Sequence, residues 1–165
     1  MGMTASLAAV DQATLSRLKS DPGAVEDYIY PNDGDDEPPN SIDVDKAWHG
    51  IHFLLTGQAE GGQEPLALAL LGGEELGDDV GYGPARFLTP QQVNAVATAL
   101  VGLDEEAFRD RFDPAAMTDA QIYPDVIWLR DGKDALDYLV ENYHSMVSFY
   151  REAASRGDGA LLWLC

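Results

Sequence analysis

Cysteine is almost absent: its one occurrence, Cys165, is the last residue, so no internal disulfide can form. A chain that folds without such staples suits a reducing compartment, and a cytoplasmic location is expected. Cations are scarce as well, with 10 Lys and Arg against 29 Asp and Glu and a net charge of −19. A field of that sign repels phosphate backbones, which argues against direct nucleic-acid binding. Long hydrophobic runs are missing, since no stretch approaches the roughly 20 apolar residues that a membrane helix needs. The N-terminus also lacks a basic region followed by an apolar one. Neither a membrane span nor a secretory leader is therefore expected.

What is present is a 165-residue chain with 45% hydrophobic content, enough for one domain over residues 1–165 with a conventional core. Residues 31–40 are only Asp, Glu, Gly, Pro and Asn, so a mobile acidic surface loop is expected at about 31–41. Its carboxylates invite a calcium reading. Counting from Asp33, however, the sixth and twelfth places of a calcium loop hold Pro38 and Val44 instead of Gly and Glu. No metal or other cofactor is expected.

The stretch from Ser41 to Gly57 organises the rest. It reads as one amphipathic helix, with Asp43 as N-cap, Gly57 as stop, and Val44, Ala47, Trp48, Ile51 and Leu55 as the core-facing stripe. Around it, Thr4–Val10 reads as a buried strand and Asp11 as the cap of a short helix with Leu15 and Leu18 turned inward. A turn of helix is expected over 24–30 and another short helix over 65–71. A turn then feeds a short strand at Ala85–Leu88. Thr89-Pro90-Gln91-Gln92 predicts a helix start with a capping box, and Asp104 and Asp113-Pro114 predict two more. Ile127–Leu129 reads as an extended edge or a bridge into the last helix. That helix is predicted over Lys133–Arg156, with Leu136, Leu139, Val140, Tyr143, Val147, Tyr150 and Ala154 on one face and Gly157 as its end. Gly159–Cys165 reads as a C-terminal strand. The fold class is then α+β: a small mixed sheet that includes both terminal strands, packed by a central helix and a long C-terminal helix.

Four pieces of the sequence carry a family resemblance. They are Met1-Gly2-Met3, the run Asp43-Val44-Asp45-Lys46-Ala47-Trp48 with Gly50-Ile51-His52-Phe53-Leu54-Leu55-Thr56-Gly57, the segment Gly81-Tyr82-Gly83-Pro84-Ala85-Arg86-Phe87-Leu88-Thr89-Pro90, and Ile122-Tyr123-Pro124. Together these resemble the YfbM-like family of small bacterial proteins of unknown function, across the whole chain. The resemblance implies a single α+β domain and assigns no catalytic residue.

Chemistry concentrates on the central stretch. Asp45, His49, His52 and Thr56 fall at i, i+4, i+7 and i+11, which would line up four polar side chains on one helical face. Two imidazoles with a carboxylate could serve as acid and base or meet a divalent ion. The structural alternative gives His52 a backbone carbonyl to bond and leaves His49 solvated. Lys46 and Arg86 are rare cations within the recognisable motifs. A buried ion pair of Arg86 with Asp43 or Asp45 explains that structurally, whereas a bidentate contact to a bound carboxylate or phosphate is the functional rival. Tyr82 sits in a glycine-flanked turn too short for a phosphate loop. The candidate ligand-binding residues are thus Asp45, Lys46, His49, His52, Thr56, Tyr82 and Arg86. Three readings stay open: a non-enzymatic binding, immunity-like or adaptor protein whose acidic face meets a basic protein partner; a small enzyme or anion-binding protein with a polar cleft formed by His52, Asp45 and Arg86; and purely structural motifs with the function carried by a loop.

Overall fold

A computed structural model describes residues 2–165, so Met1 of the opening motif lies outside the described residues. Its centre is a five-stranded sheet in the order β2-β1-β5-β4-β3, where β1 is Ala5–Val10, β2 Ser41–Asp43, β3 Glu74–Asp79, β4 Pro84–Leu88 and β5 Gly159–Leu164. The terminal strands β1 and β5 pair antiparallel from Ala5↔Leu164 to Val10↔Gly159, which puts both inside the sheet as their apolar sequences require. The α+β class stands; the sheet, expected to be mixed, is antiparallel at every neighbouring pair.

Both faces of the sheet are covered, and strand alternation divides the core between them. Ala5, Leu7, Ala9, Ala160 and Leu162 face a large helical layer. Ala8, Val10, Phe87, Leu161 and Trp163 face a smaller one. The smaller layer consists of α1 (Gln12–Ser20), through Leu15 and Leu18, and α2 (Val25–Ile29). The larger layer holds α3 (Trp48–Thr56), α4 (Leu68–Leu71), α5 (Pro90–Val101), α6 (Glu105–Asp110), α7 (Pro114–Asp119), α8 (Ile127–Asp131) and α9 (Lys133–Arg156). Side-chain caps at Asp11, Thr89, Asp104 and Asp113 start four of these helices, each carboxylate or hydroxyl accepting a first-turn backbone N–H. Gln92 completes the box at Thr89 by accepting from the Thr89 N–H.

Several expectations change. The stretch 41–57 is not one helix. Ser41–Asp43 joins the sheet, the Val44 N–H donates to the Ala5 carbonyl, and the Asp43 carboxylate accepts from the Asp45 N–H. Pairing with β1 therefore holds the chain extended through Asp43 and overrides helical periodicity. Asp45 takes φ +50°, a short 3-10 turn follows over Asp45–Ala47, and the α-helix begins only at Trp48. The stripe survives the change: Val44, Ala47, Trp48, Ile51 and Leu55 are all buried. Gly57 ends the helix in the left-handed conformation, its N–H bonded to the Phe53 carbonyl.

The helix expected from Pro65 is helical only over Leu68–Leu71, and Ile127–Leu129 belongs to a helix instead of an extended edge. On α9 the buried face includes Ala135, Met146, Phe149 and Ala153, with Leu136, Val147 and Ala154 only half-buried, so the core-facing surface is broader than predicted and turned from its expected line. Gly50 marks where α3 crosses the larger layer most closely, since a Cβ there would stand 2.7 Å from side-chain atoms of both Leu139 and Trp128.

Candidate functional site

The signature pieces converge in space. Met3, just before β1, accepts a hydrogen bond from the Trp48 indole Nε1 (3.0 Å), and its own N–H donates to the Tyr123 hydroxyl (3.0 Å). The Tyr123 N–H in turn donates to His49 Nδ1 (2.9 Å). Because Nδ1 accepts, the neutral ring carries its proton on Nε2, which donates to the Ala59 carbonyl (2.9 Å). The rings of Tyr123, Trp48 and His49 stack, with centroid separations of 5.8 and 4.7 Å. The opening segment, the start of α3, the link after α3 and the Tyr123 segment are thereby tied into one junction. Burial lowers the His49 pKa, opposed by the Ala59 carbonyl and by Glu60.

Beside this junction lies a cleft of about 420 Å³, where the start of α3 and the link after it meet the β3–β4 hairpin. Trp48, His49, Glu60 and Gly61 form one side, while Tyr82, Pro84 and Arg86 form the other, with Leu71 and Leu164 completing the lining. Trp48 is only 6 % exposed, so it meets the cleft by an edge. Tyr82 is 52 % exposed, held out by a turn in which the Asp79 carboxylate accepts from the Gly81 and Gly83 N–H groups. The Tyr82 N–H donates to the Leu164 carbonyl, which pins that turn to β5.

Arg86 is not in an ion pair with Asp43 or Asp45. Its Nη1 donates to the carbonyls of Leu70 (3.1 Å) and Gly72 (2.8 Å), which anchors the end of α4 to β4. Among the described residues no carboxylate stands within 4.0 Å of the guanidinium, and Nε and Nη2 make no hydrogen bond to the protein. Burial draws the Arg86 pKa down, with Tyr150 and Glu75 acting the other way. His52 lies beneath. It is 0 % exposed, neither ring nitrogen has a hydrogen-bond partner, and its charged neighbours Arg86 and Glu60, with His49, belong to the cleft. Burial lowers its pKa; the Gly61 carbonyl favours the charged ring but lies outside hydrogen-bond geometry.

Of the seven candidate residues, then, His49, Tyr82 and Arg86 line one cleft and His52 underlies it. The other three go elsewhere. Asp45 accepts from the Tyr138 hydroxyl (2.6 Å) on α9, because the chain before Trp48 is not helical. Lys46 is exposed, the end of its side chain beside Gly2. Thr56 donates to the His52 carbonyl and accepts from the Gln58 N–H, tying off the end of α3. The expected trio of His52, Asp45 and Arg86 therefore does not form a cleft. Glu60 was missed, and the only signal for it is a carboxylate set before two glycines in the link after α3. With both nitrogens of His49 held by backbone groups, that ring has no proton to exchange with a ligand. No group of three or more His, Cys, Asp or Glu side chains able to hold a metal ion occurs among the described residues.

Fold and site together define an α+β protein with a five-stranded antiparallel sheet, whose signature residues close a bonded junction beside an open polar cleft. The chain belongs to the family described as a domain of unknown function, DUF1877, whose model matches residues 1–163. It is similar to protein YfbM of Escherichia coli strain K12, at 28% identity over 124 residues, 73% of this chain and 74% of that one. Its fold matches the crystal structure of the protein of unknown function YfbM from Escherichia coli, with a TM-score of 0.77, 23% identity, and coverage of 98% of this chain and 99% of that one.

Proposed function

We propose that the protein binds a small molecule in the cleft between the start of α3 and the β3–β4 hairpin, as a single-domain binding protein of the cytoplasm. The observation that carries this reading is Arg86: a part-buried guanidinium with no carboxylate partner and two of its three nitrogens unbonded, in a cleft of about 420 Å³. The two backbone carbonyls hold Nη1 alone, which leaves Nε and Nη2 as charged donors for an anionic group of a ligand. Ligand pockets typically start at roughly 300 Å³ and place a few polar groups among apolar ones, as here. Binding is favoured over turnover because the lining offers no Ser, Thr or Cys nucleophile, and the one imidazole in it is locked by the backbone. Screening a charged and neutral small-molecule library by chemical-shift mapping tests the idea. The expected result is a saturable ligand that moves the Tyr82, Gly61 and His49 resonances, and a library that moves none of them overturns it.

A second reading rests on the net charge of −19, which suits docking to a basic protein through complementary potentials. The acidic segment leading into β2 would present its exposed Asp33, Asp35, Asp36 and Glu37 to such a partner. Association that weakens steeply with salt supports this reading, and salt-insensitive association contradicts it. The chain has no helix long and apolar enough to cross a membrane among the described residues.

A further inference from the structure

Two opposite charges line the cleft, and neither is in a salt bridge among the described residues. Arg86 has no carboxylate within 4.0 Å. Glu60, exposed on the other side, has no cation within that distance among the described residues, and the two do not pair with each other. Tyr82, Leu71 and Pro84 add an apolar and aromatic surface to the same lining. Such a cleft is dipolar, with donors at one end and an acceptor at the other. The field of the whole chain adds a constraint, because a net charge of −19 opposes the approach of a polyanion. A ligand with one carboxylate and one ammonium, neutral as a whole, meets both local charges and avoids that opposition.

Resting on the cleft being a ligand site, we infer that its ligand is a small zwitterion of the α-amino acid class. Its carboxylate lies on the free Nε and Nη2 of Arg86, its ammonium on Glu60, and its apolar side chain against Tyr82, Leu71 and Pro84. Planar recognition of a carboxylate by two guanidinium nitrogens is the geometry that arginine provides best. The cleft volume of about 420 Å³ is ample for such a molecule.

The test uses calorimetric titration of the full chain with L-leucine, L-phenylalanine and L-tryptophan, each beside its N-acetyl form and its amide, and with inorganic phosphate. At least one free amino acid should saturate the protein. Removing either ligand charge should weaken binding roughly tenfold or more, the usual weight of a charge-assisted hydrogen bond. Glu60→Gln lies on an exposed side chain and leaves the fold intact, which thermal unfolding checks. It should weaken the free amino acid by a similar factor and leave the N-acetyl form unchanged. Equal binding of free and N-acetylated forms, tighter binding of phosphate, or an unchanged affinity in Glu60→Gln overturns the zwitterion while leaving the cleft as a binding site. If none of these probes binds but library compounds of another charge type move the Tyr82 and Gly61 resonances, the zwitterion is likewise wrong. Silence from every compound refutes the cleft itself.

Discussion

The junction around Trp48 and the cleft next to it are built from neighbouring and partly shared residues, yet they treat polar groups in opposite ways. In the junction the polar atoms find partners within the protein. Trp48 Nε1, the Met3 amide and carbonyl, the Tyr123 amide and hydroxyl, and both His49 nitrogens are hydrogen-bonded. In the cleft they stay open, with Nε and Nη2 of Arg86 and the carboxylate of Glu60 lacking protein partners, and beneath it both nitrogens of the buried His52 lack them too. Closed polar groups hold a fold together, because breaking one leaves its buried partner unsatisfied. Open ones that solvent reaches, on Arg86 and Glu60, are free to meet a ligand, which the buried His52 is not. The signature residues are therefore not all alike: Trp48, His49, Tyr123 and Met3 are tied into the fold by hydrogen bonds, whereas Arg86, anchored through Nη1 alone, keeps two nitrogens without a protein partner.

The largest effect should come from the junction. Trp48→Ala removes a buried indole, its stack and its hydrogen bond, and should cost about 3–5 kcal/mol by chemical denaturation. Trp48→Phe, which loses the N–H, should cost nearer 1 kcal/mol beyond the change in volume. Equal small losses would mean that the junction is not structural.

Next is His49→Ala, which strands the Tyr123 N–H and the Ala59 carbonyl and should cost about 2–3 kcal/mol. The two imidazoles also predict a pH dependence. Burial lowers both pKa values below the ordinary 6.5, so the unfolded chain binds these protons more readily than the folded one. The stability they contribute is complete above about 6.5 and is lost as the pH falls through the folded values. Unfolding midpoints that fall between pH ~7 and ~5 support this; midpoints that rise over that range contradict it.

The smallest effect belongs to His52. A fully buried ring with no partner stabilises nothing by its polarity, so His52→Leu should change stability by between 0 and about 1 kcal/mol in the favourable direction. A loss of more than about 2 kcal/mol would show that this ring is bonded after all.

Much of the fold was legible because its signals are local. The caps at Asp11, Thr89, Asp104 and Asp113, the stop at Gly57 and the apolar terminal strands are each set by a few adjacent residues. Strand β3 was hidden because it is a sheet edge, Glu-Glu-Leu-Gly-Asp-Asp, with only Leu76 buried; its charges guard against edge-to-edge pairing and mask the strand pattern. The start of α3 was misplaced because the Val44 bond to Ala5 spans 39 residues of sequence. The same long-range cause explains the site. His49, Tyr82 and Arg86 could be picked from their motifs, but Asp45 and Thr56 were grouped with them only by assuming helix through 43–57. Glu60 meets Arg86 only through the folding of the hairpin against the link after α3.

The contrast between closed and open groups is tested most directly by long-range proton–nitrogen NMR of the two imidazoles in the unliganded protein. The account predicts His49 as a single neutral tautomer with its proton on Nε2, titrating below its ordinary value, beside a neutral His52 whose ring carries no hydrogen-bonded shift. A His49 ring protonated on Nδ1, or one titrating at its ordinary value, would contradict it.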